Sequence, residues 1–301
     1  MSSARPTSVQ APPGGHLRDY YELCKPRVVM LIVFTAIVGM FLAVPGWPPL
    51  AGAVFGTIGI ALQSASAAAI NQIIDRNIDA RMARTCGRPL PTGSLGMTES
   101  IAFATIIGLA GFAVLWTLVN PLTAVLTQLA LVGYAGIYTL YLKRATPQNI
   151  VIGGAAGAAP PVLGWAAVTG EVHPHALLLF LIIFVWTPPH FWALAIERHE
   201  EYAKADIPML PVTHGIEFTR TQVLLYTILL VAVSLLPFIT GMSGWLYLAG
   251  AALFGGIFLG YAVRLKFRPR PGLPMRTFGF SIVYLMAIFT LLLIDHYIPA
   301  A

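Results

Sequence analysis

Nine stretches of about 20 mostly apolar residues, the length needed to cross a hydrocarbon core, dominate this 301-residue chain. They run 28–45, 51–72, 100–119, 122–142, 149–169, 176–196, 221–240, 244–264 and 277–296. Such continuous runs exclude a β-barrel, whose strands alternate in polarity. Only 10% of residues are charged and 57% are hydrophobic. An ordinary soluble domain carries about 25% charged residues, and one of this size could not hide so much apolar surface. The expected fold class is therefore an all-α membrane protein, a bundle of nine transmembrane helices. Gly- and Pro-rich runs such as IVIGGAAGAAPPVLGWAAV fit that class. Neighbouring helices satisfy the freed backbone groups, and small residues permit close packing.

The linkers alternate in charge. PGWPP, NP, GEVHPHA and TGMSG follow the odd-numbered spans and hold no Lys or Arg. All 18 basic residues lie in the N-terminal segment or after the even-numbered spans. The positive-inside rule puts that side in the cytoplasm, with the N-terminus inside and the C-terminus outside. The expected location is the bacterial inner membrane. The net charge of +6 follows from this placement and does not call for a nucleic-acid partner. Of the 12 acidic residues, all but Glu171 and Asp295 share the cytoplasmic side.

Residues 1–19 read as a disordered tail and 20–301 as a single domain. The opening MSSARPTSVQAPPGG lacks the apolar core of a signal peptide. Cys24 and Cys86 both fall on the cytoplasmic side, which argues against a structural disulfide. The chain has no G-x-x-x-x-G-K-[ST], H-E-x-x-H or paired C-x-x-C, so nucleotide-driven pumping and structural zinc lack support.

The uncharged run AGAVFGTIGIALQSASAAAI leads into NQIIDRNIDARMARTCGRPLPTG. Asn71, Asp75 and Asp79 stand at i, i+4 and i+8. On a helix that is one stripe, advancing about 40° and 6 Å per step. Oxygen ligands of this kind suit Mg²⁺, which completes its shell with water and substrate phosphate. An acidic cap paired with nearby arginines is the plainer alternative. Arg76 lies within the stripe and Arg81, Arg84 and Arg88 follow it, and guanidinium groups grip phosphate oxygens in forked geometry. Lys143 and Arg144 end the fourth span, and Lys25 and Arg27 flank Pro26 before the first. These four fit either snorkelling or phosphate contact.

A second acidic cluster ends the sixth span, in WTPPHFWALAIERHEEYAKADIPMLP. His190, Glu197 and Glu201 are spaced seven and four apart, which predicts one helical face. Glu200 and Asp206 are close by, with Tyr202 and Lys204 between them. The two clusters lie four spans apart, as two similar four-helix halves plus a ninth helix would place them. His190 is either a packed, hydrogen-bonded residue or a catalytic or iron-contacting one.

Together these features describe a site for a diphosphate head with a long apolar tail. Metal and cationic side chains stabilise departing diphosphate. If the tail is allylic, its cation survives in a water-poor bundle until an acceptor captures it. The predicted reaction class is prenyl transfer.

The chain resembles the UbiA-type intramembrane prenyltransferases. The resemblance rests on NQIIDRNIDARMARTCGRPLPTG, YTLYLKRATPQNIVIGGAAGAAPPVLGW and WTPPHFWALAIERHEEYAKADIPMLPV. It covers essentially everything from Tyr20 to the last span. GGAAGAAPPVLGW and TPPHFWALAI are similar to the protohaem IX farnesyltransferase (haem O synthase) branch. The resemblance implies a central cavity opening to the cytoplasmic side. It also implies Mg²⁺-dependent transfer of farnesyl from farnesyl diphosphate to a vinyl group of haem B, with water adding. Asn71, Asp75 and Asp79 are the implied metal and catalytic residues. Glu197 and Glu201 are the expected metal ligands of the second cluster, where the family usually carries Asp, and Glu201 and His190 complete the catalytic set. The expected substrate contacts are Lys25, Arg27, Arg76, Arg84 and Arg88, with Lys143, Arg144, Tyr202 and Lys204. A haem A synthase or terminal oxidase assembly is the partner class for the product. Two rivals remain: transfer to a quinone precursor or a chlorophyll-type ring, and a transporter with inward-facing charges.

Overall fold

The computed structural model describes residues 17–298. Residues 1–16 of the expected tail lie outside the described residues. Helix α1 (Leu17–Leu23) begins ahead of the domain start expected at residue 20. All regular elements among the described residues are helical. The long ones are α2 (Pro26–Leu42), α3 (Leu50–Asp79) and α4 (Met97–Leu118), then α5 (Pro121–Ala145), α6 (Asn149–Thr169) and α7 (Pro174–Glu197). A short α8 (His199–Lys204) precedes α9 (Ile216–Ile239), α10 (Trp245–Phe267) and α11 (Leu273–His296).

Eight of these are long and apolar enough to cross a membrane. The ninth span needs α1 and α2 taken together, and that pair is bent by 56°. The bend falls at Lys25, whose φ of 50° and ψ of 61° are left-handed. Pro26 then opens α2, a position where its missing N–H costs nothing.

Neighbours in sequence pack as neighbours in space. α3 lies against α2 and α4, α7 against α6 and α9, α10 against α9 and α11, and α11 returns to α2. The centre is α6 and α7, each with 61% of its apolar window buried, against 17% for α5. The α2–α6 crossing is close because it is built on glycine. A Cβ on Gly39 would overlap the Pro161 backbone, and one on Gly164 the Ala36 backbone. Polar side chains join α3 to its neighbours. Gln63 donates to the Gly108 carbonyl at 3.1 Å and to Gln128 at 3.2 Å, and Ser66 donates to the Ala104 carbonyl at 2.8 Å. In lipid such bonds stand in for the absent hydrophobic drive between helices.

Asp295, one of the two acidic residues expected on the opposite side from the other ten, has a structural task. Its carboxylate accepts from the backbone N–H groups of Gly244 and of Tyr247, the latter at 3.1 Å. It therefore caps α10 from the end of α11, where orphan amides and the helix dipole favour an anion.

The connection after α7 folds back onto the bundle. Tyr202, Ile207, Met209 and Leu210 pack with Met82, Ile150 and Trp192 in one apolar cluster. The charges of this loop sit on top of a buried underside.

Candidate active site

The stripe forms as its spacing predicts. α3 continues unbroken through Asp79, beyond the end expected near residue 72. Asn71, Asp75 and Asp79 are 4%, 2% and 4% exposed, so the three oxygens face inward rather than solvent. Isolated carboxylates could not remain charged there. Three cations arrive from three other segments. Lys143 Nζ meets Asp75 Oδ2 at 2.5 Å. Arg88 Nη1 meets Asp79 Oδ2 at 2.6 Å. Lys25 donates to Asn71 Oδ1.

Each cation is positioned by its own local structure. Gln72 donates to the carbonyls of Glu22 and Leu23 at 3.0 and 2.9 Å. That ties the α1–α2 corner, and Lys25 with it, to α3. Thr85 donates to the Asp79 carbonyl at 2.9 Å, which folds the chain after α3 so that Arg88 returns to the stripe. Lys143 depends on α5. Residues Gly133–Leu142 form a π-helical coil rather than an α-helix. In it Thr139 Oγ1 donates to the Tyr134 carbonyl at 2.8 Å and accepts from Asn71 Nδ2 at 3.0 Å. Wide helical turns recur at functional sites because they re-aim side chains. Here one carries both Thr139 and Lys143 to the stripe. Asn149, buried in α6, donates to the Lys143 carbonyl at 3.2 Å and fixes the end of that coil.

Asp75 Oδ1 is buried and has no hydrogen-bond partner among the described residues. With Asp79 and the Asn71 amide it makes an all-oxygen donor set, the chemistry that Mg²⁺ prefers. No group of three His, Cys, Asp or Glu converges among the described residues. The third donor of this stripe is an amide, so the set fits a hard cation that shares its shell with phosphate and water.

The other predicted contacts divide by orientation. Arg27, Arg76, Arg84, Arg144 and Lys204 are exposed. Arg76 folds onto its own helix, donating to the Ile73 carbonyl at 3.3 Å. The loop after α3 and the loop after α7 meet where Met82 packs with Tyr202. Burial pushes the Tyr202 hydroxyl above its usual range, and the Arg84 charge opposes that.

The second cluster differs from expectation. His190, Glu197 and Glu201 do not share one continuous face, because α7 ends at Glu197 and Arg198 leaves helical geometry with φ −104° and ψ 20°. Glu197 is exposed. Glu201 is held by Arg198 at 2.6 Å, and its Oε2 is buried with no hydrogen-bond partner among the described residues. His190 lies deeper in α7, 7% exposed, and bonds to Ser281 of α11. Sequence reasoning passed over Thr139 and Ser281. Thr139 carried a usable signal, since it stands four residues before Lys143 within a stretch already singled out.

Two lateral grooves open away from this chemistry. One, of about 430 Å³, lies between α5, α6 and α7, bordered by Leu129, Ala155, Ala159 and Phe180. The other, of about 590 Å³, runs along α10 past Gly256 and Tyr261. Neither is lined by the stripe.

A bundle of helices long and apolar enough to span a membrane, with a buried Asn-Asp-Asp stripe met by inward cations, defines an integral membrane protein with a charged site sunk among its helices. Comparison with known proteins places it further: the UbiA prenyltransferase family is matched over residues 32–291, and the chain belongs to that family. It is 62% identical to protoheme IX farnesyltransferase of Methylococcus capsulatus (strain ATCC 33009 / NCIMB 11132 / Bath), over 97% of this chain and 99% of that one. To the same-named protein of Alkalilimnicola ehrlichii (strain ATCC BAA-1101 / DSM 17681 / MLHE-1) it is 61% identical over 97% of both. Among solved structures, a digeranylgeranylglyceryl phosphate synthase superposes with a TM-score of 0.78 at 19% identity, covering 93% of this chain and 98% of that one. A UbiA homolog from Archaeoglobus fulgidus bound to GPP and Mg2+ gives 0.64 at 18% identity, covering 91% and 99%. At such identities the likeness concerns the fold.

Proposed function

We propose that this chain transfers the farnesyl group of farnesyl diphosphate to a vinyl group of haem B, with water adding, to release haem O and diphosphate. The observation that carries the donor half is the buried stripe itself, with Asp75 Oδ1 unpartnered among inward-facing cations. The acceptor half rests on relatives at about 60% identity over nearly the full chain.

Asn71, Asp75 and Asp79 would hold Mg²⁺. When bound, that ion neutralises part of the diphosphate charge and makes it a better leaving group. Lys143, Arg88 and Lys25 bind the phosphate oxygens, exchanging their present partners for substrate. Arg84, at the meeting of the two loops, adds charge from above. The loop packed on Met82 and Trp192 keeps bulk water from the head group, so the departing allylic cation is not quenched early. The vinyl carbon of the porphyrin supplies the electron pair, and water completes the new hydroxyl. The farnesyl tail would lie among the apolar helices below the stripe, with the site facing the cytoplasm from the inner membrane. The product passes to a haem A synthase or terminal oxidase assembly.

The test pairs a variant with a panel of acceptors. Asp75→Ala should insert in the membrane and give no product. Wild-type protein should prenylate haem B in preference to quinone precursors and chlorophyll-type rings. Retained turnover in Asp75→Ala would remove the site assignment, and preference for a quinone precursor would replace the acceptor.

A further inference from the structure

The imidazole of His190 is the one buried titratable ring in the core of α7 that the diphosphate site does not use. It lies between two aromatic faces. Trp186 stacks on one side at 4.1 Å and 20°, and Phe278 on the other at 4.4 Å and 26°. Phe191 meets it edge-on at 4.9 Å. The sandwich is itself anchored, because Trp186 Nε1 donates to the Ser281 carbonyl at 2.7 Å. The ring plane is therefore fixed by both α7 and α11.

Its protonation pattern follows from Ser281. His190 Nδ1 and Ser281 Oγ are 2.6 Å apart. The same Oγ lies 2.6 Å from the Phe278 carbonyl, to which it donates. A hydroxyl has one proton. With that proton on the carbonyl, Oγ can only accept from the ring, so Nδ1 carries the hydrogen. Nε2 is left with a lone pair, and among the described residues the hydrogen bond this ring makes is the one at Nδ1. A neutral imidazole with Nδ1–H held by an acceptor is the form that ligates metals, and the acceptor raises the basicity of Nε2.

We propose that the Phe278 carbonyl, Ser281 and His190 form a relay that presents His190 Nε2 as the axial ligand to the iron of haem B. The step forms one Fe–N bond from the Nε2 lone pair, with no proton or electron transferred. It rests on haem B being the acceptor. Ser281 is a positioning residue, acting through His190. Ligation would hold the porphyrin at a fixed depth in α7, and so choose which edge of the ring meets the prenyl cation.

Full-length protein in nanodiscs is titrated with haem B in the absence of prenyl diphosphate. The ferrous complex is read by resonance Raman for the iron–histidine stretch, and the ferric complex by electron paramagnetic resonance. Wild type is expected to show nitrogen-ligated iron. His190→Ala loses that signature, binds haem more weakly than wild type, and recovers the signature on adding imidazole. Ser281→Ala keeps the ligand but shifts the stretch and weakens binding. A wild-type complex without the iron–histidine stretch overturns the proposal, and this reading needs no variant to fold. Wild-type spectrum and affinity in His190→Ala overturn it as well. Haem O formation on the same preparations separates the two claims. Product without histidine ligation overturns the relay alone, while absence of both haem binding and product overturns the functional reading too.

Discussion

Lys143 and Arg144 are adjacent in sequence and opposite in consequence. Lys143 turns in to Asp75 at 2.5 Å, and Arg144 is exposed. Removing one partner of a buried ion pair leaves an uncompensated charge, at about 3–5 kcal/mol. Lys143→Met should therefore lower kcat/KM for the prenyl diphosphate by about 10²–10³, the size of loss seen when one charge-stabilising donor is removed. Lys143→Arg should recover part of that loss. Arg144→Ala should stay within about twofold, as surface changes do. Steady-state turnover at varied diphosphate concentration measures all three. Equal losses for Lys143→Met and Arg144→Ala would contradict the assignment. The stripe Asn71, Asp75 and Asp79 was legible because i, i+4 spacing survives any tertiary context. The split among the cations was not, since composition records charge but not direction. Thr139 and Ser281 escaped for another reason: a hydroxyl in an apolar run gives no sign of what it bonds until its neighbours are placed.

Most helix ends were legible to within a few residues, because a hydrocarbon slab sets their length, while α3 runs on past the expected residue 72 to Asp79. Three features were not. GYAGIYTLYL holds no residue that announces a π-helical coil, and its wide turns are what bring Lys143 to Asp75. The break at Arg198 separates Glu201 from the face of His190. The 56° bend at Lys25 divides the first span. Close packing at this scale can be tested at α2 and α6. Gly164→Val places a side chain where the Ala36 backbone lies, and overpacking of this kind costs about 1–3 kcal/mol. Gly157→Ala, on the same span with open space beside it, should be neutral or gain up to about 1 kcal/mol from helix propensity. Thermal unfolding in detergent compares them. A Gly164→Val protein as stable as wild type would show that the crossing is looser than described.

The alternation of charge between linkers gives the whole molecule one orientation. Cys86 is exposed in the loop after α3, and Val172 is exposed between α6 and α7. A membrane-impermeant maleimide applied to intact cells should label Val172→Cys and spare Cys86 until the membrane is opened. The reverse pattern would invert the topology and place the stripe on the other side. Fold and family were legible at this scale because lipid admits few architectures and because the three quoted stretches lie at the ends and centre of the bundle. The acceptor was legible only through resemblance, since no single residue type marks a porphyrin.

The most direct measurement is made on purified protein in nanodiscs, supplied with farnesyl diphosphate, reduced haem B and Mg²⁺, with products read by mass spectrometry. The account predicts a farnesylated, hydrated haem that disappears on adding EDTA. An intact, folded preparation that binds both substrates and yields no such product would contradict it.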